Sequence, residues 1–223
     1  MSRTIGALLW SVIAAVAFAA VPTAIEPQGP WQNVPALPAP RGAVIEVQTE
    51  AELQQAIKNL QNGTTILLAA GTYQLTQTLH IRGKLKNVAI RGATGKRDDV
   101  IIQGRGMRVE QYGNVPHGIL VSDATDVLIA DLSVGDVWFH PIALQGHAGC
   151  DRVRIYNVRL FEAGEQFLKA NPASPDGAKG GVYPSIKLQK SVLPCLPRSS
   201  VDKYSAQQQE LARIHLCPHP QPV

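Results

Sequence analysis

Three short apolar runs recur through the middle of this chain at a near-constant interval, with no helical segment between them. Ile119, Leu120 and Val121 are followed by Val127, Leu128 and Ile129, then by Leu132, Ser133 and Val134. The next set is Ile142, Ala143 and Leu144, then Val153, Arg154 and Ile155, then Val158, Arg159 and Leu160. Val127 to Val153 and Leu132 to Val158 are both 26 residues, Ile119 to Ile142 is 23, and Ile142 to Phe167 is 25. A unit this short, built only from strands, cannot bury its own apolar face and must stack on its neighbours. The pattern excludes a helix bundle and a doubly wound α/β sheet, both of which need helices of regular length.

The physical solution is a parallel β-helix. Alternate side chains of each strand point inward and stack on those of the next repeat, about 4.8 Å away. The two-residue corners Ala130-Asp131 and Tyr156-Asn157 separate the second and third strands. Asp and Asn tolerate left-handed backbone, so Asp131 and Asn157 read as corner residues, and Asp123, Asp126 and Asp151 as turn residues. Upstream, residues 65–68, 78–81, 87–90 and 100–102 are further short strands, punctuated by Gly71, Gly83, Gly92, Gly95 and Gly104. Residues 49–60 read as an amphipathic helix, with Leu53, Ala56, Ile57 and Leu60 on one face. Thr49 and Glu52 have the spacing of a capping box, and Asn62-Gly63 supplies a stop.

The two ends have a different character. Residues 1–21 combine Arg3, an apolar run and Ala17-Phe18-Ala19, the pattern of a secretory signal peptide. Residues 22–42 are a Pro-rich linker, and residues 43–181 form the β-helix domain. Residues 182–223 hold none of the 19 glycines and carry five Lys+Arg against two Asp+Glu. They read as an irregular tail that departs from the body's logic, the expectation for a truncated or frame-shifted longer protein. Most of the net charge of +4 belongs to this tail, so the near-neutral body offers no basic stripe for nucleic acid. Cys150, Cys195 and Cys217 do not form a disulfide framework, although a Cys195–Cys217 bridge is open to an exported chain. The expected location is secreted or periplasmic, with membrane contact only through an uncleaved signal segment.

Residues 47–73 (VQTEAELQQAIKNLQNGTTILLAAGTY), 126–134 (DVLIADLSV) and 151–160 (DRVRIYNVRL) together resemble the right-handed parallel β-helix superfamily of pectate lyases and related polysaccharide-active proteins. The resemblance covers about residues 44–171 and implies an all-β fold, a right-handed parallel β-helix of few coils behind an N-terminal capping helix. It also implies a polysaccharide or cell-wall glycan partner, uronate-containing in the lyases and epimerases of the group. Non-catalytic carbohydrate binding, a structural role and an inactive fragment are the alternatives. Where calcium-dependent pectate lyases show Asp-Ala-Ile, Ile-Asp-His and Asp-Gly-Leu, this chain has His140-Pro141-Ile142, Ile155-Tyr156-Asn157 and Glu165-Gln166-Phe167. Calcium needs several oxygen ligands, and of the acidic ones only Glu165 stands in place.

Elimination from a uronate needs a base and a cation that neutralises the adjacent carboxylate. Arg154, alternating with inward Val153 and Ile155, should face outward toward such a groove and suits a carboxylate bidentately. His140 and His147 lie in an excursion between strands, and His140 is the candidate acid or base. Asp136 and Glu165, with Glu162, are the carboxylates of the neighbouring turns, and a carboxyl pair is also what glycoside hydrolysis uses. The expected site is therefore His140, Arg154, Glu165 and Asp136. No CxxC or HExxH spacing points to a structural or catalytic zinc.

Overall fold

The computed structural model describes residues 35–173 and 186–189. The signal segment, most of the linker, and Cys195 and Cys217 of the tail lie outside the described residues. The described chain is all-β but for one α-helix and a short 3-10 turn at Gly146–Ala148. Its strands are β1 (Ala43–Val47), β2 (Thr64–Leu68), β3 (Gly71–Gln74), β4 (Leu79–Ile81), β5 (Leu85–Gly92) and β6 (Val100–Gln103). They continue as β7 (Ile119–Val121), β8 (Ala124–Val137), β9 (Ile142–Gln145), β10 (Asp151–Ala163), β11 (Leu168–Asn171) and β12 (Ile186–Gln189).

Every strand pairing is parallel, in two sheets. One runs β1-β2-β5-β8-β10-β12 with β3 and β6 attached, and the other runs β4-β7-β9-β11. The sequence interval becomes a ladder register: Val127 pairs with Val153, Leu132 with Val158, and Ile119 with Ile142. One expected register is off by a residue, because Ile142 pairs with Leu168, not Phe167. Both are apolar and both pack against the core, so apolar pattern alone does not choose between them. The inward row β4 to β9, of Leu79, Ile119 and Ile142, is fully buried between the sheets, as are Ile66, Ile90, Ile129 and Ile155 of the larger sheet.

The helix α1 (Glu50–Lys58) closes the first repeat. Thr49 Oγ1 accepts from the Glu52 amide at 3.2 Å, and Glu52 accepts from the Thr49 amide at 3.1 Å. These two bonds satisfy backbone donors that a helix start leaves open. The helix stops at Asn59, earlier than the Asn62-Gly63 signal. Leu53, Ala56 and Ile57 cover the end of the core.

Among the described residues, nine other than glycine have positive φ, and six are Asp or Asn: Asn87, Asp123, Asp126, Asp131, Asp136 and Asn157. They align across repeats. Asp131 (φ 55°) and Asn157 (φ 51°) occupy one corner row, and Asp136 with Glu162 another. The first row is tied by hydrogen bonds. Asn157 donates to Asp131 Oδ1 at 2.9 Å and to the Gly95 carbonyl at 3.0 Å, and Arg91 Nε donates to Asp131 Oδ2 at 2.9 Å. Glycine appears where adjacent backbones come closest. A methyl on Gly135 would overlap the Phe161 carbonyl, and one on Gly164 would overlap that of Trp138.

Two features depart from expectation. First, β12 pairs with β10 from Val153–Ile186 to Tyr156–Gln189, so the ladder continues past residue 181, where the sequence periodicity fades. Backbone pairing needs only extended residues and not a full apolar repeat. Second, residues 35–40 of the Pro-rich linker lie against the outer face of the larger sheet. The Tyr156 hydroxyl donates to the Pro35 carbonyl at 2.9 Å, and Arg91 donates to that of Pro38 at 2.6 Å. Proline supplies carbonyl acceptors without amide donors, which suits a cover over a finished sheet.

Gly135→Ala is expected to destabilise the protein by about 3 kcal/mol or more, since the added carbon meets backbone and not a movable side chain. Gly63→Ala, at φ 73° with open space around it, should cost only about 1 kcal/mol. Urea unfolding of both variants checks the contrast. Asp131→Ala should cost about 3 kcal/mol by the same measurement, because it leaves Arg91 and the Asn157 amide without their buried acceptor.

Candidate functional site

The turn from β8 to β9 gathers the side chains with the most chemical capacity. Three consecutive repeats meet there. The Phe139 amide donates to the Pro116 carbonyl at 2.9 Å, and the Gly118 amide donates to the His140 carbonyl at 3.1 Å. On the other side, the Glu165 amide donates to the Phe139 carbonyl at 3.0 Å. The loop between β6 and β7 is held over the turn by the Gly106 amide, which donates to the Asp136 carbonyl at 2.9 Å.

At the centre, the His117 and His140 rings stack with centroids 5.2 Å apart and planes 14° apart. His140 is buried, while Glu165 is half-buried. The His140 Nδ1 lies 3.1 Å from the Gln166 carbonyl, which only accepts, so Nδ1 carries a proton. The His140 Nε2 lies 3.4 Å from Glu165 Oε2. Burial pushes the His140 imidazole down to about 4, with the charge of Lys169 acting the same way and the Gln166 carbonyl opposing. Burial also pushes His117 down to about 4, helped by His140 and opposed by Glu165. Both rings are therefore neutral near pH 7. His117 Nδ1 and Gln166 Oε1 are buried and have no hydrogen-bond partner among the described residues.

An aromatic group stands on this pair. Tyr112 lies 5.5 Å from Phe139 and 6.0 Å from Trp138, and Phe139 lies 5.6 Å from His117. Tyr112 is 43% exposed, so the group is open to solvent on its side. Asp136 and Glu162 occupy the same corner row on adjacent rungs. Burial, and then the neighbouring Glu162, raises the Asp136 pKa above the ordinary carboxylate value.

Of the four residues expected from sequence, Asp136, His140 and Glu165 share this corner, with Glu162 nearby. Arg154 lies elsewhere, on the outer face of the larger sheet, with its guanidinium 5.6 Å from the Tyr156 ring centre. That is the face against which residues 35–40 lie. His147 is exposed in the 3-10 turn. His117, Tyr112, Trp138 and Phe139 escaped the sequence reading. A signal for His117 was present: it precedes His140 by 23 residues, the same interval that separates Ile119 from Ile142. Among the described residues no three His, Cys, Asp or Glu side chains are placed to hold a metal ion. The outer face of the smaller sheet carries a second polar row, in which His80 Nε2 meets Ser122 Oγ at 2.7 Å and Asn171 donates to Gln145 Oε1 at 2.8 Å.

No family model matches the chain, and no curated protein matches it. Among solved structures, it is similar to an alginate lyase from Paenibacillus sp. str. FPU-7, with 16% identity and a TM-score of 0.41. The similarity covers 68% of this chain and 58% of that one, so the chain spans less than two thirds of the lyase's length.

Proposed function

We propose that the chain is an exported, right-handed parallel β-helix protein that engages a polysaccharide at the Tyr112–Trp138–His140 corner. The parallel register at 23- to 26-residue intervals supports the fold, and the N-terminal apolar segment supports export. One observation carries the functional reading: a partly exposed aromatic group is borne by the turn that follows Asp136, on the rung next to Glu162, and the Glu165 amide bonds to the Phe139 carbonyl of that group. A sugar ring has an apolar face of C–H bonds and a rim of hydroxyls. Aromatic side chains bury the face, and carboxylates accept from the rim.

For a uronate polymer the corner also has the elements of proton abstraction. Glu165 is the exposed member of the His140–Glu165 pair, and Lys169 is the nearby cation. In that chemistry Glu165 takes the C5 proton beside the sugar carboxylate, the C4–O glycosidic bond breaks as the C4–C5 double bond forms, and the departing oxygen takes a proton from solvent. Binding without chemistry is the second reading. The burial of His140, at 6% exposure, favours it, since the ring itself is shielded from a polymer.

Affinity electrophoresis against alginate, polygalacturonate and neutral glucans tests the proposal, with absorbance of unsaturated uronates as the activity readout. Retardation by an acidic polymer is expected. Trp138→Ala and Tyr112→Ala should each weaken it about tenfold, corresponding to about 1.4 kcal/mol. Glu165→Gln should abolish product formation while binding persists. Absence of retardation by every polymer would reject the reading.

A further inference from the structure

The arrangement beneath the aromatic group has a consequence beyond ligand contact. Two imidazoles lie face to face, and the site they support is built on them. Each is anchored by backbone to a different repeat: His117 through its amide and carbonyl to Thr78 Oγ1, at 3.2 and 2.9 Å, and His140 through its carbonyl to Gly118. The corner therefore joins repeats that meet through these rings.

The charged groups around the pair are few and unequal. From the β10–β11 turn, Glu165 faces His140 Nε2, and the neutral Gln166 faces Nδ1. From β11, Lys169 opposes a positive charge on His140. From the β4 side, the contact to His117 is the uncharged Thr78. Among the described residues, His117 Nδ1 itself is buried and meets no acceptor. A proton on His140 finds two oxygens, whereas charge on His117 is favoured by the His140 backbone and Glu165 but opposed by burial and by the like charge of His140.

We propose that the stacked His117–His140 pair is an acid-operated latch on this corner: neutral, it holds Tyr112, Trp138 and Phe139 together, and doubly protonated, it drives them apart. The inference rests on the glycan reading for what the corner releases, and on geometry alone for the opening. The direction follows from linkage. A histidine in an opened, solvated corner charges near its ordinary value of 6.5, whereas both closed rings stay neutral down to about 4. The open form thus binds more protons across that interval. Closure is fully favoured above about pH 6.5 and is lost progressively as pH falls toward about 4. The bulk of the sheets contains no comparable pair among the described residues, so opening is local.

The test is an NMR titration of the full chain, following the histidine Cε1–H signals and the Trp138 indole, with far-ultraviolet circular dichroism in parallel. Two histidines should resist protonation until well below pH 6, and the Trp138 signal should change in the same range while the strand signal persists. His117→Phe keeps the ring stack but removes one charge. It should shift the Trp138 transition by at least one pH unit to lower pH or abolish it. His140→Phe provides the same readout if His117→Phe does not fold. Ordinary titration of both rings, a Trp138 signal that stays constant, or loss of the strand signal together with the Trp138 change would each overturn the latch. Because the readout contains no glycan, failure to bind any polymer at pH 7.5 would reject the functional reading and leave the latch standing.

Discussion

Everything in this molecule depends on parallel strands returning into register about 4.8 Å above the preceding repeat. That constraint leaves little freedom at the corners, where the chain must bend within one or two residues. Left-handed backbone at Asp131, Asp136 and Asn157 makes the turns, and glycine at positions 135 and 164 allows the backbones to approach. The inward apolar rows of β8 and β10 then stack in register because these two strands bend at the same places. The Asp131–Asn157–Arg91 bonds close the polar groups that such a corner would otherwise bury unpaired.

The candidate site is a product of the same stacking. Residues that are 23 to 26 apart in sequence become neighbours one rung apart. His117 and His140 become a stack, and Asp136 and Glu162 an adjacent carboxylate pair. Stacking has an electrostatic consequence: burial raises the cost of charging His117, His140 and Asp136, and the neighbouring His140 and Glu162 add to it at His117 and Asp136. The imidazoles are held neutral, and the Asp136 carboxyl is easier to protonate.

Much of the architecture was legible. The capping box of Thr49 and Glu52 and the corner roles of Asp131 and Asn157 follow from local chemistry, and local chemistry does not change when the chain folds. The register of Val127 with Val153 follows from a conspicuous apolar interval. Legibility failed where two choices were locally equal. Phe167 and Leu168 are both apolar, and only ladder pairing with Ile142 selects Leu168. The strand Ile186–Gln189 lies in a stretch without the repeat's pattern, and the exposed edge of β10 supplies its partner.

The sequence by itself determined that this chain is built of stacked short strands, because a strand-only repeat of 23 to 26 residues has no other way to bury its apolar rows. It also marked Asp136, His140 and Glu165 as residues of chemical interest. Only the tertiary structure decided that these three share a corner with His117, Tyr112 and Trp138, and that Arg154 belongs to a different face crossed by the Pro-rich segment. The physical reason is that pattern fixes which side of a strand a residue occupies, whereas loop path and long-range packing fix what lies across from it.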